Sequence, residues 1–140
     1  MLISSGTQFY MNNIAISIII PTRKRFDMLV KSINSLASRA TTTDDIEFII
    51  RIDEDDTDTI NNLPNLPKNL NIKTIMGVRH GYAKLYEYYY EMFLQSSGNF
   101  IFPYPDDVCM QTLNWDLYIR KHENDICIIF VEIEAVVIIH

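Results

Sequence analysis

At 140 residues the chain is one domain's worth of sequence, enough for a sheet covered by helices on both faces. Its formal charge of −6 argues against a nucleic-acid backbone as partner, which needs clustered Lys and Arg, but leaves a nucleotide open. A hydrophobic content of 48% argues against disorder. Cys109 and Cys127 are too few and too far apart for a zinc ribbon, and two free thiols fit a reducing compartment.

Met1 to Asn13 has no period and reads as a leader, with a single domain expected from residue 14 to residue 140. Ile14 to Ile20 is a continuous β-branched run, the pattern of a strand buried on both faces of a parallel sheet. Pro21 stops it, and the basic loop Thr22-Arg23-Lys24-Arg25 follows. Apolar residues at Phe26, Leu29, Val30, Ile33, Leu36, Ala37 and Ala40 then predict an amphipathic helix over Phe26–Ala40. Asp27 complements the dipole at its first turn.

Ile46 to Ile52 predicts a second strand, running out into the acids Asp53, Glu54, Asp55, Asp56 and Asp58. Most of that run is expected to be solvated loop. Asn61 to Asn71, with Pro64 and Pro67, reads as a connector. Ile72 to Met76 predicts a third strand closed by Gly77. A second helix is expected over Tyr82–Gln95, with Leu85, Tyr88, Tyr89, Met92 and Phe93 forming a core stripe.

Phe100 to Pro103 predicts a fourth strand, and it leads to Asp106 and Asp107. Adjacent carboxylates repel unless water, a base or a cation stabilises both charges. Hard oxygen ligands suit Mg²⁺ or Mn²⁺, whose remaining shell commonly comes from waters and substrate phosphates. The alternative is a solvated turn, since Pro-Asp-Asp is ordinary turn chemistry. Thr112 to His122 reads as a short helix or loop around Trp115, and Asp125 to Val131 as a fifth strand. His80, His122 and His140 lack ligand spacing and are expected at the surface.

This order of elements predicts an α/β fold with a mostly parallel sheet. Ligands in such sheets bind outside the carboxyl ends of the strands, at the switch in strand order. Pro21-Thr22, Asp53 and Asp106-Asp107 all fall at such ends. No signal peptide is evident, and the apolar run Ile126 to Ile139 is too short to span a bilayer. A soluble cytoplasmic protein is the expectation, with peripheral association with a membrane left open.

The residues Ile16-Ser17-Ile18-Ile19-Ile20-Pro21-Thr22-Arg23-Lys24-Arg25 resemble the opening strand and turn of family 2 glycosyltransferases with the GT-A fold. Ile52-Asp53-Glu54-Asp55-Asp56 is similar to that family's second-strand motif. Gly98-Asn99-Phe100-Ile101 with Asp106-Asp107 resembles its strand and Asp-x-Asp metal site, and Asn114-Trp115-Asp116 resembles a following Gly-Trp-Asp. The resemblance covers about Ile14 to Phe130. It implies a three-layer, Rossmann-like nucleotide-binding domain and transfer of a sugar from a nucleoside diphosphate donor.

By position, the resemblance puts Pro21 and Thr22 beside the nucleobase. It makes Asp53, with Glu54 as alternative, the acceptor of the base's imide N–H. It turns Arg25 or Lys84 to the diphosphate and gives Asp106 and Asp107 to Mn²⁺ or Mg²⁺. Uracil is the base expected first, with thymine and guanine as alternatives. Two departures stand out: the first acid of Asp-x-Asp falls on Pro105, and the family's catalytic base and acceptor site belong to a C-terminal half beyond this chain. Glu132 and Glu134 alternate along an expected strand and read as solvent-facing. A non-catalytic nucleotide-sugar-binding module is therefore the alternative to an enzyme. A nucleotidyltransferase lacks its Gly-rich phosphate loop here. A phosphoacceptor receiver would need a lysine near Phe130-Val131-Glu132.

Overall fold

The computed structural model describes residues 13–125 and the short strand at residues 137–138. Four strands, β1 (Ile16–Thr22), β2 (Ile46–Asp53), β3 (Asn71–Gly77) and β4 (Phe100–Pro103), form one all-parallel sheet in the order β3-β2-β1-β4. Chain order runs outward from β1 through β2 to β3, then returns to place β4 on the other side of β1. The switch in direction therefore lies between β1 and β4.

The β-branched run does what its composition requires. Ile16, Ile18 and Ile20 point to one face and pack with Leu29, Ile33 and Leu36 of α1 (Phe26–Arg39). Ile19 and Ile49 point to the other face and meet Tyr88 and Met92 of α3 (Leu85–Leu94). Helices thus cover both faces and make three layers. At about 25 cal/mol per Å² of apolar surface removed from water, this double-sided burial is the main stabilising term. Trp115 of α4 (Trp115–Arg120) closes the α1 side, its indole N–H donating to the Leu36 carbonyl at 2.9 Å.

Several expectations need correction. The acidic run does not stay loop: α2 (Thr57–Asn62) begins there, and Asp56 caps it by accepting from the Thr59 N–H at 3.2 Å. A 3₁₀ turn, Leu63–Asn65, takes up part of the expected connector. The Tyr82–Gln95 helix starts as a separate 3₁₀ turn, Tyr82–Lys84, which follows Gly81 with φ +81° and is divided from α3 by the non-helical backbone of Lys84, φ −116° and ψ 35°. Phe93 is 54% exposed rather than core, since only Tyr88 and Met92 of the stripe lie deep against the sheet.

A second, antiparallel pair joins β5 (Val108–Cys109) to β6 (Val137–Ile138). The fifth strand expected over Asp125–Val131, Glu132, Glu134, Cys127 and His140 lie outside the described residues, save Asp125 itself. No helix among the described residues is long and apolar enough to cross a membrane.

Candidate functional site

A cleft of about 540 Å³ opens at the carboxyl ends of the strands. It is lined by Pro21 and Thr22 of β1, the basic loop Arg23–Arg25, Asp53 of β2 and Pro105–Asp107 beyond β4. This is the crevice that a switch in strand order leaves open. The size falls within the range of small-molecule sites.

The acidic pair is held by α1. The Ser32 hydroxyl lies 3.0 Å from the Asp106 carbonyl and 2.6 Å from that of Val108, so the loop after β4 is tied to the helix. Asp106 is 7% exposed. Its carboxylate accepts from the Thr22 hydroxyl at 2.8 Å and from Arg25 Nη1 at 3.3 Å, and Arg25 also reaches Asp107 at 3.2 Å. Burial pushes the Asp106 carboxyl above the ordinary range despite Thr22 and Arg25, with Asp107 adding to the rise. Its negative charge is under-compensated. Among the described residues no three His, Cys, Asp or Glu side chains converge as a ligand set, so these two carboxylates stand without a third.

Asp53, 2% exposed, is more heavily engaged. Oδ1 accepts from the Tyr88 hydroxyl at 2.8 Å and from Arg51 Nη1 at 3.4 Å, while Oδ2 accepts from Arg23 Nη1 at 2.9 Å. A carboxylate offers about four lone-pair positions, so these three donors fix its orientation and leave room for one more. Arg51 has no exposed side-chain surface. Its guanidinium donates to the carbonyls of Ile52 (2.6 Å), Val78 (2.7 Å) and Gly77 (3.3 Å) and pairs with Glu91. Gly77 has to be small: a Cβ there would lie 2.9 Å from Arg51 Nη2.

Of the residues singled out from sequence, Pro21, Thr22, Arg25, Asp53, Asp106 and Asp107 come together around the cleft. Glu54 and Lys84 do not line it. Glu54 points outward, its backbone N–H bonded to the Gly77 carbonyl at 2.8 Å, and the Lys84 ammonium sits 3.5 Å from Glu87. Asp55, exposed, pairs with Arg23 at 3.1 Å.

Lys24, Arg79, Gly81, Tyr82 and Tyr88 also line the cleft and were not foreseen there. Lys24 and Arg79 carry no ion pair among the described residues, so the wall retains positive charge for an anion. Lys24 holds a left-handed φ of +53°, and its N–H donates to Asp56 at 2.7 Å, which shapes the basic loop. Arg51 had a readable sequence signal: a charge inside a strand otherwise made of Ile and Phe needs buried partners. His80 is a further correction. It is not a simple surface residue, because its ring lies between Glu87 and Glu91 of α3.

The fold is similar to that of S. aureus TarS, a glycosyltransferase, with a TM-score of 0.56 at 16% identity. The match covers 79% of this chain and 20% of the TarS chain, so this chain spans a small part of its neighbour's length. No family model matches the chain, and no curated protein matches it in sequence. At that identity the likeness establishes the fold alone: a Rossmann-like α/β domain.

Proposed function

We propose that the chain binds a nucleoside diphosphate sugar, UDP-sugar first, as the donor-binding part of a metal-dependent glycosyltransferase of the family 2 type. The observation that supports this reading is the convergence of Asp53, Asp106, Asp107 and a surplus of basic side chains on one cleft at the switch in strand order. The acceptor, whether glycan, lipid or protein, is not specified by any residue of the cleft.

In this reading Asp53 accepts the imide N–H of uracil through its remaining lone pair, while Pro21 and Thr22 border the base. Cytosine has no imide N–H to offer, so the carboxylate discriminates against it. Lys24, Arg25 and Arg79 turn to the diphosphate. The donor set of Asp106 and Asp107 fits a hard divalent cation such as Mn²⁺ or Mg²⁺: two carboxylates stand side by side, and burial disfavours the charge on Asp106 that a cation would relieve. Such an ion, when bound, stabilises negative charge on the departing diphosphate. Arg25 bridges both carboxylates, and its half-exposed side chain is long enough to exchange that contact for a phosphate.

A second reading is a nucleotide-sugar-binding module without transfer activity. It is favoured by the cleft's carboxylates, all three of which are engaged by arginines and offer no free base to deprotonate an acceptor hydroxyl. Calorimetry with UDP and CDP, each with and without Mg²⁺, tests the shared part. UDP should bind more tightly than CDP and lose affinity in EDTA; equal binding of the two would overturn the assignment. Release of free sugar from UDP-sugar separates enzyme from module.

A further inference from the structure

One wall of the cleft is the segment between β3 and α3, which contributes Arg79, Gly81 and Tyr82. His80 anchors this segment. Its Nδ1 lies 2.8 Å from Glu87 Oε2, and its Nε2 contacts Glu91 Oε1. Glu87 and Glu91 are one helical turn apart on α3, so the ring is held between two acids of one face. A neutral imidazole carries a single N–H and one bare nitrogen. A bare nitrogen facing a carboxylate would set lone pair against lone pair. Both contacts together are satisfied by the doubly protonated ring.

The other groups around His80 reinforce this. From β2, Arg51 pairs with Glu91 and donates to the Val78 and Gly77 carbonyls. Burial would raise the Glu91 carboxyl, but Arg51 and His80 outweigh it and hold the group below its ordinary range. Lys84 and the Tyr86 hydroxyl approach Glu87 at 3.5 Å and 3.4 Å. Arg79 is its chain neighbour and faces the cleft.

The backbone is held by a second fastening. The Tyr88 hydroxyl accepts from the N–H of His80 at 2.8 Å and of Gly81 at 3.2 Å, and it donates to Asp53 Oδ1 at 2.8 Å. The Tyr88 ring also meets the His80 ring edge-on, with centroids 5.0 Å apart. The loop and Asp53 therefore share one hydroxyl as a common partner.

We propose that His80 is a positioning residue, a protonation-dependent clamp that holds the loop from Val78 to Tyr82 so that Arg79, Tyr82 and Asp53 form the nucleotide site. The proposal rests on the nucleotide reading above. Loss of the proton turns one ring nitrogen against a carboxylate, releases the loop from α3 and loosens the hydrogen bonds at Tyr88. Affinity for the nucleotide then falls as pH rises.

The test compares wild type, His80→Arg and His80→Gln, using UDP with Mg²⁺ as probe in calorimetry and the Gly81 amide resonance as a reporter of the loop. Arginine keeps a planar cation able to donate to both acids; glutamine is neutral and has an acceptor oxygen in place of a second donor nitrogen. In wild type the Gly81 resonance should move together with the His80 ring resonances across the interval in which the ring loses its proton. UDP affinity should drop roughly fivefold over the same interval, the low end of measured couplings between a remote group and a binding site. His80→Arg should bind as tightly as wild type at low pH and lose the pH dependence, and His80→Gln should bind weakly throughout. A Gly81 resonance that stays still while His80 titrates would overturn the clamp, as would an unchanged pH profile in His80→Arg. If wild type binds UDP at no pH the nucleotide reading fails, and the Gly81 titration, which needs no variant and no ligand, still decides the clamp.

Discussion

The buried acids at the amino ends of the sheet and Asp106 beside the cleft are held on opposite terms. At the amino ends of the strands, Glu47 is fully buried and accepts from the Ser17 hydroxyl, the Ser97 N–H at 2.7 Å and the Lys73 ammonium at 2.7 Å. Asp116, equally buried, accepts from the Thr41 N–H at 2.8 Å and Arg120 Nε at 2.9 Å, and Arg120 also grips Asp45. Burial would raise both Glu47 and Asp116, but their partners outweigh it and hold the carboxyls below the ordinary range. At the carboxyl ends Asp106 has partners too, yet burial wins and its carboxyl is pushed up. Acids whose charge is fully compensated hold the fold together. An acid left under-compensated beside a cleft marks a place where a ligand is expected to complete the balance.

The sharpest way to break this contrast is Glu47→Ala. It strands the buried Ser17 hydroxyl, at a cost of about 1–3 kcal/mol, and also removes the acceptor of the Ser97 N–H and the Lys73 ammonium. Urea unfolding should show a loss of at least about 2 kcal/mol, and a loss under half of that would mean that the amino-end acids are not structural.

Acid titration should separate the two ends by sign. Asp45 is lowered chiefly by the Arg120 hydrogen bond, and Glu47 and Asp116 are lowered despite burial. Their stabilisation is present above the unfolded carboxyl range, near about pH 4, and is lost as pH falls through their lower folded values. Asp106 is raised, so its charge destabilises the fold at neutral pH and the cost is relieved as pH falls through its folded value. Urea midpoints should decline below about pH 4 in wild type, and Asp116→Asn should flatten that decline. An unaltered acid limb in Asp116→Asn would count against the assignment.

Asp106→Asn should leave neutral-pH stability unchanged or slightly raised, because it removes a disfavoured charge and keeps an acceptor for Thr22. The same variant should weaken UDP with Mg²⁺ by roughly tenfold or more, the value of about one charge-assisted contact. A variant that unfolds easily yet binds UDP normally would place Asp106 with the structural acids.

Much of this organisation was legible from residue patterns. The β-branched run from Ile14 is buried on both faces because it lies inside a parallel sheet, and three strand ends with polar or acidic residues mark one crevice. The partners were not legible. Glu47 and Arg51 sit in an apolar strand, which signals burial, but their counterparts Lys73, Ser97, Glu91 and Val78 lie 26 to 50 positions away. Asp56 differs from its acidic neighbours only in standing three residues before a helix-forming Thr59. Gly98 reads as a helix stop, whereas its larger role is contact: a Cβ there would come within 2.6 Å of the Ser17 nitrogen. Long-range packing decides such roles, and local spacing does not carry it.

The smallest expected effect is the finest discriminator. Asp53 and Asp55 both bind Arg23, and in sequence they belong to one acidic run. Asp53 is buried at the cleft and fixed by Tyr88 and Arg51, so Asp53→Ala should weaken UDP roughly ten- to a hundredfold. Asp55 is exposed, with 54% of its side chain in water, and its contact with Arg23 is a solvated ion pair. Asp55→Ala should change UDP affinity by less than roughly fivefold. The effect is not expected to be nil, because Arg23 loses one of the two acids that orient it toward Asp53. High salt, which screens exposed pairs first, should shrink the Asp55 effect while leaving that of Asp53 in place. Titrations in which the two variants are indistinguishable, at low and at high salt, would return both residues to the solvated run and remove Asp53 from the site.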